Sequence, residues 1–220
     1  MLTAGVDDAG RGPIIGPLLI AGVLLDEKDL HRLKSLGVKD SKLLSPRRRE
    51  QLALEIKKLV IKYHVERLSP AEIDKVVETG RKLHRLNRLE AHTMAKVIDA
   101  LKPEIVYVDA SDVLADRFKA HILEKLSFQV KIVSEHKADA KYPVVSAASI
   151  IAKVERDEEI QKLAEKFGDM GSGYVTDPKT IEFLEKWLLK YDSYPEFVRK
   201  SWKPAKKLQS NLRSKQMKLR

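Results

Sequence analysis

The sequence predicts a mixed α/β domain, a central sheet flanked by helices, with a small helical extension at its C-terminal end. Three observations lead there. A strand-like segment at 2–6 and a short β-branched run at 105–109 alternate with longer segments of helical period. Ser45-Pro46, Ser69-Pro70-Ala71-Glu72 and Asp177-Pro178 each spell out a helix start. A chain of 220 residues, 43% of them hydrophobic, can bury one sizeable core and a small appendage.

The elements follow in order. Strands are expected over 2–6 and 17–25, joined by a Gly-rich turn. After Ser45-Pro46, the residues Leu52, Ile56 and Leu59 give one apolar helix face. A strand over 60–68 precedes the capping box Ser69-Pro70-Ala71-Glu72. A longer helix covers Arg85–Leu101, with Pro103 closing it, and Ile105–Asp109 is a short strand ending in an acid. Val113, Phe118, Ile122 and Leu126 mark another helix, which Asp112 is placed to cap. A strand over 128–133, a long helix over 144–167 and a loop over 168–173 come next. Asp177-Pro178 opens an amphipathic helix carrying Ile181, Leu184, Trp187 and Leu188. About ten final residues are expected to lack structure. The expected division is a domain over 1–176 and a helical extension with a basic tail over 177–220.

Composition narrows the function. No cysteine is present, which excludes disulfides, thiol catalysis and Cys-based zinc sites. No apolar run approaches the ~18 residues that span a bilayer. The first residues lack the basic start and cleavage site of a secretory signal, so a cytoplasmic protein without membrane contact is expected. The net charge is +10 and unevenly spread. From Arg199 to Arg220 there are nine Lys or Arg and no Asp or Glu, leaving 33 of the 42 basic residues against all 32 acidic ones. A nearly neutral body with a basic tail suits a polyanionic partner, although a merely solubilising tail has the same composition.

Two strand-like runs end in acids: Gly5-Val6-Asp7-Asp8 and Val106-Tyr107-Val108-Asp109. A further acid, Asp139, precedes the long helix. One acid at a strand end is commonly a cap or turn residue. Four converging carboxylates would repel one another and require cations, and an all-oxygen set selects Mg²⁺ or Mn²⁺. Two such ions ~3.5–4 Å apart suit in-line phosphodiester cleavage. Gly10-Arg11-Gly12, with Gly16 beyond, looks superficially like a dinucleotide fingerprint. It fails as one, because Ile15 stands where the third Gly belongs and Pro13 interrupts the helix start. These glycines would instead let the backbone approach a sugar or phosphate closely.

Several stretches together resemble the ribonuclease HII family, in its archaeal branch. They are Gly5 to Pro13, Val38-Lys39-Asp40-Ser41-Lys42, Asn87-Arg88-Leu89-Glu90-Ala91, and Tyr107-Val108-Asp109. Then come Glu135 to Pro143, Ser146-Ala147-Ala148-Ser149 to Lys153, Gly171-Ser172-Gly173-Tyr174 and Arg199-Lys200-Ser201-Trp202-Lys203. Their order is the family's, and they span roughly residues 4–207. The resemblance implies an RNase H-like fold with a central mixed sheet. It implies that Asp7, Asp8, Asp109 and Asp139 are catalytic, metal-binding acids. It also implies that Gly10, Arg11, Gly12 and Tyr174 sense a 2′-hydroxyl at an RNA–DNA junction and that Lys42 contacts a phosphate. The 2′-hydroxyl is the group that distinguishes RNA from DNA. His136 is read as structural, and Trp202 as packing the extension rather than stacking on a base.

The activity implied is a metal-dependent endoribonuclease with two Mg²⁺ or Mn²⁺ ions during catalysis. It would cut the RNA strand of RNA–DNA hybrids, or 5′ of a ribonucleotide in duplex DNA, leaving a 3′-hydroxyl and a 5′-phosphate. A monomer is expected. The chain departs from the family at Asp8, where Glu is usual. Asp is shorter by ~1.5 Å, which leaves open ligation through water, a shifted ion or a preference for the larger Mn²⁺. Two other readings stand beside this one: a nuclease of the same fold acting on DNA junctions, and a non-catalytic nucleic-acid binder.

Overall fold

The structure is a computed structural model describing residues 1–38, 44–79 and 85–218, with side chains through 214. A five-stranded sheet in the order β3-β2-β1-β4-β5 organises it. The strands are β1 (Leu2–Ala9), β2 (Leu18–Asp26), β3 (Lys62–Leu68), β4 (Ile105–Asp109) and β5 (Lys131–Glu135). β1 runs antiparallel to β2 and parallel to β4, and β4 runs parallel to β5, so the sheet is mixed. The helices are α1 (Leu30–Leu36), α2 (Pro46–Leu59), α3 (Pro70–Glu78), α4 (Arg85–Leu101) and α5 (Ala115–Leu123), followed by α6 (Ala138–Lys141), α7 (Pro143–Phe167), α8 (Pro178–Tyr191) and α9 (Lys203–Lys218). This is the mixed α/β architecture with a C-terminal helix that the sequence predicts. No helix among the described residues is long and apolar enough to cross a membrane.

Contacts divide the chain into two compact units. The first comprises Met1–Ala9, Leu19–Arg67 and Lys82–Glu155; the second comprises Gly10–Leu18, Leu68–Arg81 and Arg156–Arg220. Both are discontinuous in sequence. In the first unit, α7 and α4 cover opposite faces of β1 and its neighbours. Both approaches depend on glycine. A Cβ at Gly5 would lie 2.3 Å from the Val144 carbonyl carbon of α7, and one at Gly22 would lie 2.5 Å from a Val97 methyl of α4. The core on the α7 side gathers Val23, Leu25, Leu52, Ile56, Val145 and Ile151. The second unit has its own core of Ile14, Ile15, Ile160, Met170, Leu184 and Val198.

The three helix starts behave as the sequence dictates. Ser45 accepts the Arg48 N–H, Ser69 and Glu72 form the reciprocal capping box, and Asp177 accepts the Lys179 N–H. Four details differ. The strand expected over 128–133 forms at Lys131–Glu135, because pairing with β4 fixes its register. α1 and α6 were not foreseen; at seven and four residues both are too short for periodicity to reveal them. Asp112 does not occupy the cap of α5, which is Leu114; instead its carboxylate accepts the Leu114 N–H and holds Arg117. The final residues are helical through Lys218 rather than unstructured. Ala205 is buried in the second core, and Leu208 and Leu212 pack against it.

Candidate active site and recognition loop

The first unit carries the acids. Successive residues of a strand face opposite sides, and the register Val6↔Val108 between parallel β1 and β4 sets which acids share a face. One residue further along, Asp7 comes level with Asp109 on the α7 side, while Asp8 turns to the α4 side. The neighbours agree. Ser149 of α7 hydrogen-bonds Asp7, and Lys153 donates to Ser149 Oγ at 3.3 Å. On the other side Ser111 Oγ lies 3.3 Å from Asp8 Oδ1 and donates to Glu90 of α4 at 2.6 Å. Glu90 is fully buried.

Asp7 is buried and its carboxyl sits well above the usual carboxylate range. Burial is the main cause, the Asp8 charge is the next, and Asp109 adds to both; the Ser149 hydroxyl and the Asp8 N–H pull the other way. Asp109 Oδ1 accepts the Ala138 N–H at 3.0 Å, which ties the end of β4 to the start of α6. Asp139, also buried, is the second residue of α6. The preceding Lys137 takes a left-handed conformation, φ 56°, to make that turn. His136 has Nδ1 3.2 Å from the Ala110 carbonyl and Nε2 3.3 Å from the Val113 carbonyl, so it fastens the loop after β4, the structural role expected of it.

The structure thus brings Asp8 and Asp109 each within electrostatic reach of Asp7 and starts α6, with Asp139, beside Asp109. Among the described residues, no three His, Cys, Asp or Glu side chains are closed up as a ready metal cage. The donor chemistry nonetheless fits a hard divalent cation. Every donor is a carboxylate oxygen, and the repulsion that raises Asp7 is what such a cation offsets. Sequence reasoning missed Ser149, Lys153, Ser111 and Glu90. The first two lie in the Ser146-Ala147-Ala148-Ser149 to Lys153 stretch and Glu90 in Asn87 to Ala91, so order in the chain flagged the segments but not the side chains.

The second unit carries the glycine-rich segment. Gly10 has φ 88°, and a Cβ there would lie 2.7 Å from the Pro17 carbonyl oxygen. Gly12 is exposed, and a Cβ on it would lie 3.6 Å from Tyr174 Cε1, so Gly12 and Tyr174 are neighbours. Gly173 accepts the N–H groups of Ile14 and Ile15 at 2.8 and 3.2 Å, stitching the two segments together. Arg156 lies under the Tyr174 ring, 5.1 Å from its centroid, and donates to the Ser172 carbonyl at 2.6 Å. Arg11 is half-buried. Lys42 lies outside the described residues. One expectation needs correction: Arg199, counted with the basic tail, is fully buried and is not available to grip a backbone. Trp202 packs as expected, its indole N–H directed at the Gly12 carbonyl at 3.4 Å.

Comparison with known proteins identifies the family. The sequence model of a family described as Ribonuclease HII matches residues 4–205. Ribonuclease HII of Pyrococcus furiosus is 46% identical over 221 residues, covering 100% of this chain and 96% of that protein. The crystal structure of ribonuclease H2 from Pyrococcus horikoshii superposes with a TM-score of 0.89 at 45% identity, covering 97% of this chain and 99% of that one. RNase HII of Archaeoglobus fulgidus, solved in a complex with PCNA, gives 0.84 at 47% identity, covering 92% and 96%. The fold and these relatives define the class as a nuclease of the ribonuclease H type. Within it, the chain belongs to the ribonuclease HII family.

Proposed function

We propose that this enzyme hydrolyses the RNA strand of RNA–DNA hybrids and cuts 5′ of ribonucleotides embedded in duplex DNA, leaving a 3′-hydroxyl and a 5′-phosphate. The observation that carries the reading is the crowding of buried Asp7 by Asp8 and Asp109 at the ends of adjacent parallel strands. Asp7, Asp8, Asp109 and Asp139 would hold two Mg²⁺ or Mn²⁺ ions. When bound, such ions activate the attacking water and stabilise the leaving oxygen.

The chain's own residues do the rest. Ser149 orients Asp7, and the Lys153 ammonium stands behind that hydroxyl. The Ala138 N–H fixes one Asp109 oxygen and so orients the carboxylate. Ser111 spans Asp8 and Glu90. It has one hydroxyl proton, and the shorter contact is to Glu90. Gly10, Arg11, Gly12 and Tyr174 read the ribose 2′-hydroxyl, and Lys42 contacts a phosphate. Basic residues beyond Trp202 add backbone attraction. The enzyme acts as a cytoplasmic monomer.

Cleavage of three duplexes tests the reading: a uniform hybrid, a DNA duplex with one ribonucleotide, and all-DNA, each with Mg²⁺, Mn²⁺ and chelator. The expected result is metal-dependent cutting of the first two and none of the third. Cutting of all-DNA junctions at a comparable rate would favour a DNA-directed nuclease. Binding with no cleavage in either metal would leave a non-catalytic binder.

A further inference from the structure

Arg199 is the largest fully buried side chain among the described residues. Its guanidinium is always charged, and a charge removed from water must be met by hydrogen bonds. Nε and Nη2 donate to the Gly16 carbonyl at 3.1 and 3.0 Å, and Nη1 donates to the Arg11 carbonyl at 2.7 Å. Nη2 also donates to the Gly10 carbonyl, and the Trp202 ring covers the guanidinium with its centroid 5.1 Å away. The segment bearing Arg199 is itself pinned. Its own N–H donates to the Ile14 carbonyl at 2.9 Å. Buried Asp74 of α3 accepts the N–H groups of Lys200 and Ser201 at 2.8 and 3.0 Å, together with the Ser201 hydroxyl.

We infer that Arg199 is a positioning residue for ribose recognition, a buried fork that turns the Gly10 and Arg11 carbonyls inward and the N–H groups of Arg11 and Gly12 outward as donors to a 2′-hydroxyl oxygen. The step from carbonyl to amide is geometric. No cis peptide occurs among the described residues, and in a trans peptide the C=O and N–H point in opposite directions. Fixing the Gly10 carbonyl therefore aims the Arg11 N–H, and fixing the Arg11 carbonyl aims the Gly12 N–H. The Gly16 carbonyl precedes Pro17, which has no N–H, so that pair of bonds only anchors the guanidinium. Lysine could not substitute, because three carbonyls are met here by a planar fork rather than by one point charge.

The inference rests on the proposal that Gly10–Gly12 reads the 2′-hydroxyl, and the experiment separates the two. Kd is measured in chelator for two duplexes that differ by one 2′-hydroxyl, using the full chain. Wild type is expected to prefer the ribonucleotide duplex. Arg199→Lys and Arg199→Gln, checked for cooperative unfolding, are expected to lose about tenfold of that preference, the worth of roughly one hydrogen bond. Their affinity for the all-DNA duplex should stay within about twofold of wild type. Tyr194→Phe, which deletes a buried bond to the Ala205 carbonyl elsewhere in the same unit, should keep the preference.

Folded Arg199 variants that retain the full preference would overturn the inference alone. Equal loss in Tyr194→Phe would overturn it too, by showing general loosening. If wild type itself shows no preference, the reading of the glycine segment falls and takes the inference with it. Should both Arg199 variants fail to fold, Ser201→Ala weakens the Asp74 anchor more gently. A partial loss of preference there supports the inference, and an unchanged preference overturns it.

Discussion

A carboxylate proposed to bind an ion is hard to test when it also holds the fold, and Asp109 escapes that difficulty. Its Oδ1 accepts the Ala138 N–H, a bond that an asparagine carbonyl can replace. Asp109→Asn should therefore leave thermal unfolding and substrate affinity nearly unchanged. Cleavage should fall by a factor on the order of 10³ or more, several kcal/mol of lost charge stabilisation. Single-turnover cleavage beside an unfolding curve checks this; near-normal cleavage by the folded variant would remove Asp109 from the site. Residue identity was legible at this scale where an acid ends a recognisable strand, as for Asp7 and Asp109. It was not legible for Arg199, which in sequence is one more cation in a basic run. Only its bonds to the Gly10, Arg11 and Gly16 carbonyls set it apart from its neighbours. Nor could periodicity show that Ser111, after β4, would meet Glu90, 21 residues upstream.

Elements were legible where a local signal sufficed. The capping serines, Asp177-Pro178 and the β-branched runs act within a few residues, so the sequence locates α2, α3, α8, β1 and β4. β5 depends on a partner strand, and α6 on the Asp109 carboxylate and a left-handed Lys137, so neither is local. Packing between elements gives two predictions. At Gly5 an added methyl meets α7 backbone at 2.3 Å, which no side-chain rotation relieves. Gly5→Ala should destabilise by about 1–3 kcal/mol or more. Gly37 has a left-handed φ of 80° but nothing within 4 Å among the described residues, so Gly37→Ala should cost chiefly the conformational strain, about 1 kcal/mol. Urea unfolding of both checks the ranking, and the reverse order would contradict the helix–sheet contact.

The second concerns acid. The Arg117 guanidinium holds the buried Asp112 carboxyl well below its ordinary 3.8, helped by the Leu114 N–H and opposed by burial. A depressed folded value contributes stability above the unfolded value, and this is lost as pH falls through the folded one. Stability from this pair should hold above about pH 4 and decline below it. Asp112→Asn should flatten that acid limb in a pH series of melting temperatures; an unaltered slope would mean the pair is energetically idle.

For the whole molecule, charge and anchoring must be separated. A truncation beginning at Arg199 would remove the buried arginine, the Asp74 contacts and Ala205, so it would unfold the second unit rather than report on electrostatics. Removal of 213–220 keeps Leu212, the last side chain packed against that core among the described residues. It deletes four of the nine cations that follow Val198. If these meet phosphates, log Kd against log salt should lose up to about 0.9 in slope for each, roughly 3–4 in total. An unchanged slope would make the tail end a bystander. The charge asymmetry was plain in the sequence, but its division into buried and available cations was not, because burial depends on contacts with residues far away in the chain.

The alternation of β1 and β4 carries one more consequence. Asp7 and Asp109 share a side of the sheet only because Val6 lies opposite Val108. A slip of either strand by a single residue would send one acid to the far side and drive apolar neighbours into the wrong layer. A chain that mispairs here separates these two acids and disrupts its core in the same stroke, so a folded population with the acids apart has no route by which to accumulate.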